Sequence, residues 1–484
     1  METISNTWTL PRSLPEEQGV SSGAVADFLN TIEQQSLGLH SFMLLRHSHV
    51  IAEGWWSPYT PELPHMLFSL SKSFTSTAIG FAADEHLLSL EDPVISFFPD
   101  DLPPEISPNL AGMNISHLLM MGTGHVEDTM QPMQESADGH WAKAFLRLPV
   151  DKVPGTHFVY NTGATYMLSA IVQKVSGLTL LEFLEPRLFT PLGITSPTWE
   201  SCPRGINTGG YGLSVRTEDI AKFGQLYLQQ GVWNNSRLLS KEWVAAATSK
   251  QIENGDGSGN GGDWSQGYGY QFWQCRHGLY RGDGAFGQFC IVMPEQNAVV
   301  AITSGAGDMQ AIMNAVWDHL LPAMRNESPA QLQADKAREL ADKLRTLSIS
   351  PPSCEPASSR EDAINGCIYK FEENVLQLRD FSLSFDRGEA RLTLHIADGE
   401  QIIMLGRSEW RASSAKILEG DYNRIMGSFT WLAEDQLQIT MQFIETPFSL
   451  TLDIKFNERS IVFSRDMNVS FGEEEPFTVE GHLE

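Results

Sequence analysis

A single change of hydrophobic pattern constrains the fold of this chain more than any other feature. Up to about residue 325, helical periodicity is interleaved with a few strands, whereas from about residue 364 apolar and polar residues alternate, as in segments 381–385 and 437–443. Alternation at period two, broken by turns such as Asp398-Gly399, is typical of strands with one buried face. The 484 residues also exceed what one hydrophobic core usually holds. We therefore expect domains of two different classes.

The segment between the two patterns has a sequence typical of a linker. Residues 331–347 form a charged helical pattern with one apolar face, and SISPPSCEPASSRED after it is rich in Ser and Pro. We place a first domain at residues 10–325, a helical and Pro-rich linker at 326–360 and a second domain at 361–484. The first is predicted to be α/β (α+β), an antiparallel sheet flanked by helices with a helical subdomain. The second is predicted to be a small, antiparallel, lipocalin-like barrel of about eight strands.

Charge and composition exclude several classes of function. Lys and Arg total 33 against 60 Asp and Glu, a net charge of −27, which repels phosphate backbones and anionic membranes. No segment approaches the ~18 consecutive apolar residues of a membrane span, and the N-terminus lacks a signal-peptide pattern. The five cysteines are scattered, without a CxxC pair or a Cys/His cluster. We expect a cytoplasmic protein with no nucleic-acid or membrane partner, no metal and no cofactor.

The most informative short motif is Ser69-Leu70-Ser71-Lys72, an S-x-x-K placed where an extended apolar segment turns into a helix. A spacing of three puts the Ser69 hydroxyl and the Lys72 ammonium on one helical face. A serine becomes an effective nucleophile when a neighbouring base or cation helps to remove its proton, and its N–H at a helix start favours an oxyanion. A second match, residues 413–416, lies in the β-rich tail, where we interpret it as a solvated turn.

A tyrosine is the second candidate for chemistry. Tyr160 ends an apolar stretch at a turn, and a helix begins soon after it. A tyrosine beside a lysine can be held as the phenolate, because the cation stabilises the charged form and lowers the phenol pKa. The alternative is a tyrosine that packs at a domain seam.

The third candidate is the start of an apolar strand, which comprises Tyr280, Arg281, Gly282, Asp283 and Gly284. Glycines on an edge strand let a substrate lie close to the backbone, and an N–H there can be the second donor to an oxyanion. The alternative is an ordinary glycine-rich hairpin.

These three segments, in this order, resemble the serine β-lactamase and penicillin-binding-protein superfamily, in particular its class C-like branch of peptidases and esterases. The stretches ISHLLMMGTGH (115–125), GYGLSVRTEDIAKFGQLYLQQG (210–231) and GYGYQFW (267–273) resemble the same branch. The resemblance covers roughly residues 12–325. It implies the β-lactamase/transpeptidase fold, with Ser69 as the acylated nucleophile, Lys72 as its proton-handling partner and Tyr160 as the general base or its relay.

The chain departs from the family pattern at two motifs. The second motif is usually Y-x-N, whereas this chain has Tyr160-Asn161-Thr162, so either the turn is remodelled and Asn161 still points into the cleft, or that contact is lost. The third motif usually begins with Lys or His before x-Gly. The matching residues here are Tyr280-Arg281-Gly282 or Gly282-Asp283-Gly284, and neither triplet has a Lys or His at its first position. These departures favour an esterase or peptidase over an efficient β-lactamase.

Two hypotheses of function follow from the residues and the resemblance. The first is a metal-independent serine hydrolase that acts by acyl transfer on a small ester, amide or short peptide, a D-amino-acid peptidase or a carboxylesterase. The second is a catalytically weak or silent relative that serves as a binding module. In either case we expect the tail to pack near the cleft or to mediate self-association into a homo-oligomer.

Overall fold

The computed structural model describes residues 9–255, 261–324, 330–352, 357–374, 376–418, 420, 422–472 and 478–484. Residues 353–356 of the predicted linker lie outside this part of the chain. The helices are α1 (Ser22–Gln34), α2 (Ser71–Asp84), α3 (Pro108–Gly112), α4 (Ile115–Leu119), α5 (Met130–Gln134), α6 (Trp141–Arg147), α7 (Thr162–Ser176), α8 (Leu180–Leu184), α9 (Thr190–Leu192), α10 (Thr217–Leu228), α11 (Lys241–Thr248), α12 (Met309–Ala315), α13 (Leu321–Ala323), α14 (Ala334–Thr346) and α15 (Arg360–Ile364).

The strands of the N-terminal part are β1 (Leu39–Arg46), β2 (His49–Trp55), β3 (His65–Met66), β4 (Thr198–Trp199), β5 (Leu213–Val215), β6 (Val232–Trp233), β7 (Ser236–Arg237), β8 (Trp273–Gln274), β9 (Tyr280–Gly284), β10 (Gln288–Met293) and β11 (Ala298–Ser304). The strands of the C-terminal part are β12 (Ile368–Phe371), β13 (Asp380–Asp386), β14 (Glu389–Ile396), β15 (Gly399–Arg407), β16 (Arg411–Ser414), β17 (Arg424–Ala433), β18 (Gln436–Phe443), β19 (Ser449–Phe456), β20 (Ser460–Met467) and β21 (Thr478–Leu483).

An antiparallel sheet of six strands forms the centre of the N-terminal part, in the order β2-β1-β11-β10-β9-β8. Its central strands β1, β10 and β11 are buried along their whole length, because helices cover both faces. Helices α1, α12 and α14 pack with one face, and α2, α10 and the other helices of the subdomain pack with the opposite face. This architecture confirms the predicted antiparallel sheet with flanking helices. It also holds β9, at one side of the sheet, against the start of α2.

The C-terminal part is a closed barrel, as predicted, but it has nine strands. Strands β12 to β15 and β17 to β21 form the ring, and β15 pairs with β17 in parallel to close it, with Leu405 opposite Gly427. Strand β16 lies between β15 and β17 in sequence and runs opposite to β17, with which it pairs. The chain therefore reverses twice, and β15 and β17 run in the same direction. The alternating residues predicted to face inward, such as Leu437 and Ile439, are fully buried, which confirms the barrel.

The barrel docks against the segment that leads into α2. The β18–β19 turn offers its carbonyl groups to the N-terminal part: the N–H of Met66 in β3 donates to Glu445 O at 2.8 Å, and the Tyr59 hydroxyl donates to Thr446 O at 3.2 Å. On the neighbouring face, the Tyr422 hydroxyl donates to Glu200 Oε1 at 3.0 Å. The barrel therefore supplies a hydrogen-bond acceptor to β3, which lies only a few residues before Ser69.

Within the described residues, no single helix is both long and apolar enough to span a membrane. One bent pair of helices, residues 162–176 with 180–192, passes the same test of length and composition when taken together.

The packing around α2 generates a prediction for stability. Phe74 is fully buried and its ring stacks on Phe223, with 4.0 Å between the centroids. We expect Phe74→Ala to lower the free energy of unfolding by about 3–5 kcal/mol, since it leaves a cavity in a close-packed layer. Urea denaturation measures this change. Val153→Ala, at a side chain that is 60% exposed, is the control and should change the value by less than about 0.5 kcal/mol. Equal effects of the two substitutions would contradict this packing.

Candidate active site

Ser69 lies in a 3₁₀ turn, Phe68–Leu70, that runs directly into α2. The residue before it, Phe68, has a left-handed backbone with φ of 46°, an uncommon conformation for a residue with a bulky side chain. Such backbone strain is concentrated at functional sites, where surrounding packing maintains it. Ser69 is partly exposed in the middle of this turn, at the point where the S-x-x-K motif predicts the start of a helix.

Helix α2 is buried over most of its length although it is rich in Ser and Thr. Its hydroxyls are satisfied by backbone carbonyls of two loops: Ser73 donates to Gln271 O at 2.8 Å, Ser76 to Tyr270 O at 2.7 Å and Thr75 to Gly209 O at 2.7 Å. Buried hydroxyls are stable only when they are hydrogen-bonded in this way. These contacts fix the helix in rotation and translation, and thereby fix the position of Lys72 on its first turn.

Lys72 is the centre of the site. Its ammonium, on a side chain that is almost fully buried, donates to Gly210 O at 2.8 Å, to Ser69 Oγ at 3.0 Å and to Thr162 Oγ1 at 3.4 Å. It also lies 4.9 Å from the centre of the Tyr160 ring. Burial lowers the pKa of Lys72 to about 7, against the opposing effect of the Asp128 and Asp283 charges. A substantial fraction of Lys72 is therefore neutral near pH 7 and able to accept a proton.

Tyr160 joins the same group, but its protonation state differs from our expectation. Its ring lies 4.9 Å from Lys72 Nζ, and its hydroxyl is near enough to Ser69 for that side chain to lower its pKa, so the three groups lie together. Burial raises the pKa of Tyr160 far above its usual value, and the negative charge of Asp283 raises it further. The expectation of a phenolate is not supported, because desolvation and the Asp283 charge outweigh the lowering effect of Arg281 on the Tyr160 pKa. Tyr160 is a neutral hydroxyl that can donate or relay a proton.

Of the two alternatives for the second motif, the structure supports the one in which the Asn161 contact with the cleft is lost. Its side chain is fully buried and caps α7, with Oδ1 accepting from Thr129 Oγ1 at 2.8 Å and from the Ala164 N–H at 3.2 Å. The expectation that Asn161 touches a substrate is therefore not supported. Thr162, one place later, occupies the position from which a hydroxyl reaches Lys72.

Two of the predicted residues of β9 are structural instead of substrate-binding. Arg281 is fully buried and pairs with Asp283 at 2.9 Å, and its guanidinium lies over the Trp264 ring, 4.4 Å from the centroid. Tyr280 packs in the core against Phe272. The expectation that Tyr280 and Arg281 contact a substrate was wrong, because both side chains point into packed layers.

Gly282 and Gly284 allow β9 to lie against the nucleophile segment. A Cβ at Gly282 would lie 2.5 Å from Leu70 Cδ1, and one at Gly284 would lie 2.0 Å from Leu67 O. Any other residue would therefore push the strand away from the turn that carries Ser69. This close approach of the strand to the turn accounts for the two glycines, whereas the sequence led us to expect that they admit a substrate.

The backbone N–H of Asp283 faces an open edge. The Cys275 N–H donates to Leu279 O at 2.8 Å, and β8 then pairs only with Tyr280 and Arg281. In an antiparallel ladder the backbone groups of alternate residues point to the same side, so those of Asp283 point to the edge beyond the end of β8. No strand among the described residues covers this edge at Asp283. The Asp283 N–H therefore points out of the sheet, on the side of β9 that β8 leaves open.

An aromatic support lies behind Tyr160. Trp273 stacks on Tyr160 with 5.2 Å between centroids, and Tyr268 meets Trp273 edge to face at 4.8 Å. The Arg281 guanidinium lies 5.6 Å from the Trp273 centroid on the same support. The buried ion pair of β9 therefore positions Tyr160 through Trp273.

Asp128 and Gly210 are the other site residues that sequence reasoning missed. Asp128 Oδ1 accepts from the Thr162 N–H at 2.9 Å at the start of α7, where its charge acts on Lys72. Gly210 opens the stretch 210–231, which carried part of the family resemblance, but no motif assigned a role to its carbonyl. The second S-x-x-K match is unrelated to this site. Ser413 lies in β16 instead of a turn, and Lys416 Nζ lies 3.9 Å from Asp398 Oδ2.

Among the described residues, no group of three or more His, Cys, Asp and Glu side chains has the arrangement of a metal site.

Comparisons with known proteins agree with this geometry. The sequence model of the Beta-lactamase family matches residues 25–320, more than half of the chain. The 6-aminohexanoate-dimer hydrolase of Paenarthrobacter ureafaciens is 26% identical over 320 residues, which cover 61% of this chain and 80% of that protein. Lovastatin esterase of Penicillium rubens is 26% identical over 151 residues, 27% of this chain and 38% of the esterase.

The fold is similar to that of the octameric penicillin-binding protein homologue from Pyrococcus abyssi, with a TM-score of 0.50 and 17% identity. That similarity covers 91% of this chain and 97% of the other, so it includes the barrel. Both sequence relatives are hydrolases by name, which supports hydrolase activity in this chain. The resemblance inferred from the motifs is confirmed: this chain belongs to the Beta-lactamase family.

Proposed function

We propose that this protein is a metal-independent serine hydrolase that cleaves an ester, an amide or a short peptide by acyl transfer, with Ser69, Lys72 and Tyr160 as its catalytic residues. The observation that carries the proposal is the 3.0 Å contact between Lys72 Nζ and Ser69 Oγ, made by a lysine whose pKa is lowered to about 7. A serine needs such a neighbouring base to become a nucleophile at neutral pH.

In the acylation half of the reaction, neutral Lys72 accepts the proton of Ser69 while Oγ attacks the carbonyl carbon. The N–H groups of Ser69 and Asp283 stabilise the oxyanion that forms. The bond to the leaving nitrogen or oxygen then breaks, and the proton held by Lys72 passes through the Tyr160 hydroxyl to that atom. The result is an ester between Ser69 and the acyl group, with the leaving group released in its neutral form.

Deacylation reverses these roles with water in place of the leaving group. Water gives a proton to the Lys72/Tyr160 pair as its oxygen attacks the acyl carbon. The Ser69–acyl bond breaks, and Ser69 recovers the proton from the same pair. The acyl group leaves as a carboxylic acid.

The charges around β9 favour esters and amides without a carboxylate next to the scissile bond. On β9, the positive charge of Arg281 is paired with Asp283 at 2.9 Å in the buried layer, so it is not available to a substrate carboxylate. A β-lactam carries such a carboxylate, so we propose that β-lactams are poor substrates. The names of the hydrolase relatives are consistent with amide or ester chemistry.

The role of Ser69 can be tested by covalent labelling. A fluorophosphonate probe should label the wild-type protein and should not label Ser69→Ala, because the probe reacts with an activated serine. Turnover of p-nitrophenyl acetate should fall about 1,000-fold or more in the same variant. Ser413→Ala removes the serine of the second S-x-x-K match and is the matched control, which should be labelled normally. Labelling that persists without Ser69 would refute the proposal, and an unlabelled, inactive wild type would favour the binding module.

The pKa of Lys72 predicts the pH dependence of the reaction. Below about pH 7 the ammonium is protonated and cannot accept the Ser69 proton, so kcat/KM should rise with pH and level off above an apparent pKa of about 7. Measurement of p-nitrophenyl acetate hydrolysis from pH 5 to 9 gives this profile.

Two variants sharpen the pH experiment. Lys72→Arg should be inactive across the range, since an arginine stays protonated. Asp128→Asn removes a charge that raises the Lys72 pKa while it retains a hydrogen-bond acceptor, so the rising limb should move to lower pH. A limb that stays in place in Asp128→Asn, or moves to higher pH, would contradict the assignment of this titration to Lys72.

A further inference from the structure

Four phenylalanines, two from each domain, meet beside the nucleophile; we call them the phenylalanine cluster. Phe68 immediately precedes Ser69, and Phe286 follows β9 by two residues. Phe448 and Phe471 come from the β18–β19 and β20–β21 connections of the barrel. The Phe68 ring contacts the other three edge to face, with centroids 5.5 Å from Phe286, 6.1 Å from Phe448 and 5.5 Å from Phe471.

The cluster is packed on one side and open on the other. Phe286 is buried, whereas Phe471 is 73% exposed although its ring centroid lies 4.8 Å from that of Phe286. Exposure of so much aromatic surface to water costs hydrophobic free energy. That free energy is recovered when an apolar group covers the ring. Phe68 and Phe286 both have left-handed backbones, with φ of 46° and 64°, so strained positions carry the inner half of the cluster.

Hydrogen bonds hold the barrel half in place. The Asn468 side-chain amide donates to Gly305 O at 3.2 Å and to Pro447 O at 2.9 Å, and its oxygen accepts from the Ser449 N–H at 2.7 Å. This one side chain therefore ties both barrel connections to each other and to the end of β11. Phe448 and Phe471 are presented to the cleft by a fixed support.

The chemistry of the proposed reaction indicates which part of a substrate meets this cluster. The leaving group must lie towards Tyr160 and Lys72, because they return its proton, and Tyr160 is backed by Trp273 and Tyr268. The carbonyl oxygen lies between the N–H groups of Ser69 and Asp283. The acyl group then extends away from Tyr160, towards Phe68 and along β9 towards Phe286. Among the described residues, no ring contact links the Tyr160 group with the phenylalanine cluster, so they form two separate walls.

We propose that the phenylalanine cluster is an acyl-group subsite, half of it supplied by the barrel, which selects substrates whose acyl group is apolar and several carbons long. The proposal rests on the serine acyl transfer proposed above. It assigns the barrel a direct part in substrate choice, and Phe471 is the residue that an acyl chain covers.

Comparison of esters that differ only in the acyl chain tests this subsite. For the wild type, kcat/KM should be higher for p-nitrophenyl hexanoate than for p-nitrophenyl acetate. In Phe471→Ala the ratio of the two values should fall about tenfold, since contacts of a few methylene groups in an apolar pocket have effects of this size. Phe471→Leu should keep most of the preference. Leu432→Ala, at a barrel side chain that is 45% exposed away from the cluster, is the matched control and should leave the ratio unchanged.

A binding measurement separates failure of the subsite from failure of the chemistry. Hexanamide binding to Ser69→Ala, followed by calorimetry, should weaken about tenfold when Phe471→Ala is added, a size expected for a few lost methylene contacts. An unchanged hexanoate-to-acetate ratio in Phe471→Ala, or a wild type that prefers acetate, overturns the subsite even if Ser69 is catalytic. If no ester is turned over through Ser69, an effect of Phe471 on hexanamide binding supports the subsite and only the proposed reaction fails. If that binding is also insensitive to Phe471, both fail.

Discussion

The buried ammonium of Lys72 is the constraint on which the arrangement of the cleft depends. A lysine that has lost its water needs oxygen partners for its three N–H donors, and it finds them on three different segments: Ser69 on the preceding turn, Gly210 on a loop and Thr162 at the start of α7. The burial that makes these contacts necessary also lowers the Lys72 pKa to about 7. The same desolvation therefore accounts both for these contacts and for the lowered pKa of Lys72.

Much of the fold could be predicted because it rests on local pattern. The helix predicted to begin at the S-x-x-K motif is α2, the strand predicted to start at Tyr280 is β9, and period-two alternation located the barrel. The closure of the barrel could not be predicted. Its ninth strand and the parallel contact between β15 and β17 depend on how β16 folds back between them, which no turn signal specifies.

For the site, the sequence could predict neighbours along one helix but not partners that the fold brings in. The spacing of Ser69 and Lys72 determines their contact, whereas Gly210 and Asp128 reach Lys72 only through tertiary structure. The protonation of Tyr160 was predicted with the wrong sign, since a motif shows the nearby cation but not the desolvation that outweighs it. The expected substrate contact of Arg281 has a similar explanation: the sequence shows a cation on the strand but not its buried pairing with Asp283.

The contact between the barrel and β3 has a consequence for how the protein tolerates heat. The Met66 N–H and the Tyr59 hydroxyl have their acceptors on the β18–β19 turn, so melting of the barrel leaves both donors without those partners next to the nucleophile. If the barrel opens at a lower temperature than the six-stranded sheet, the segment that leads into Ser69 loses this support while β9 is still in place.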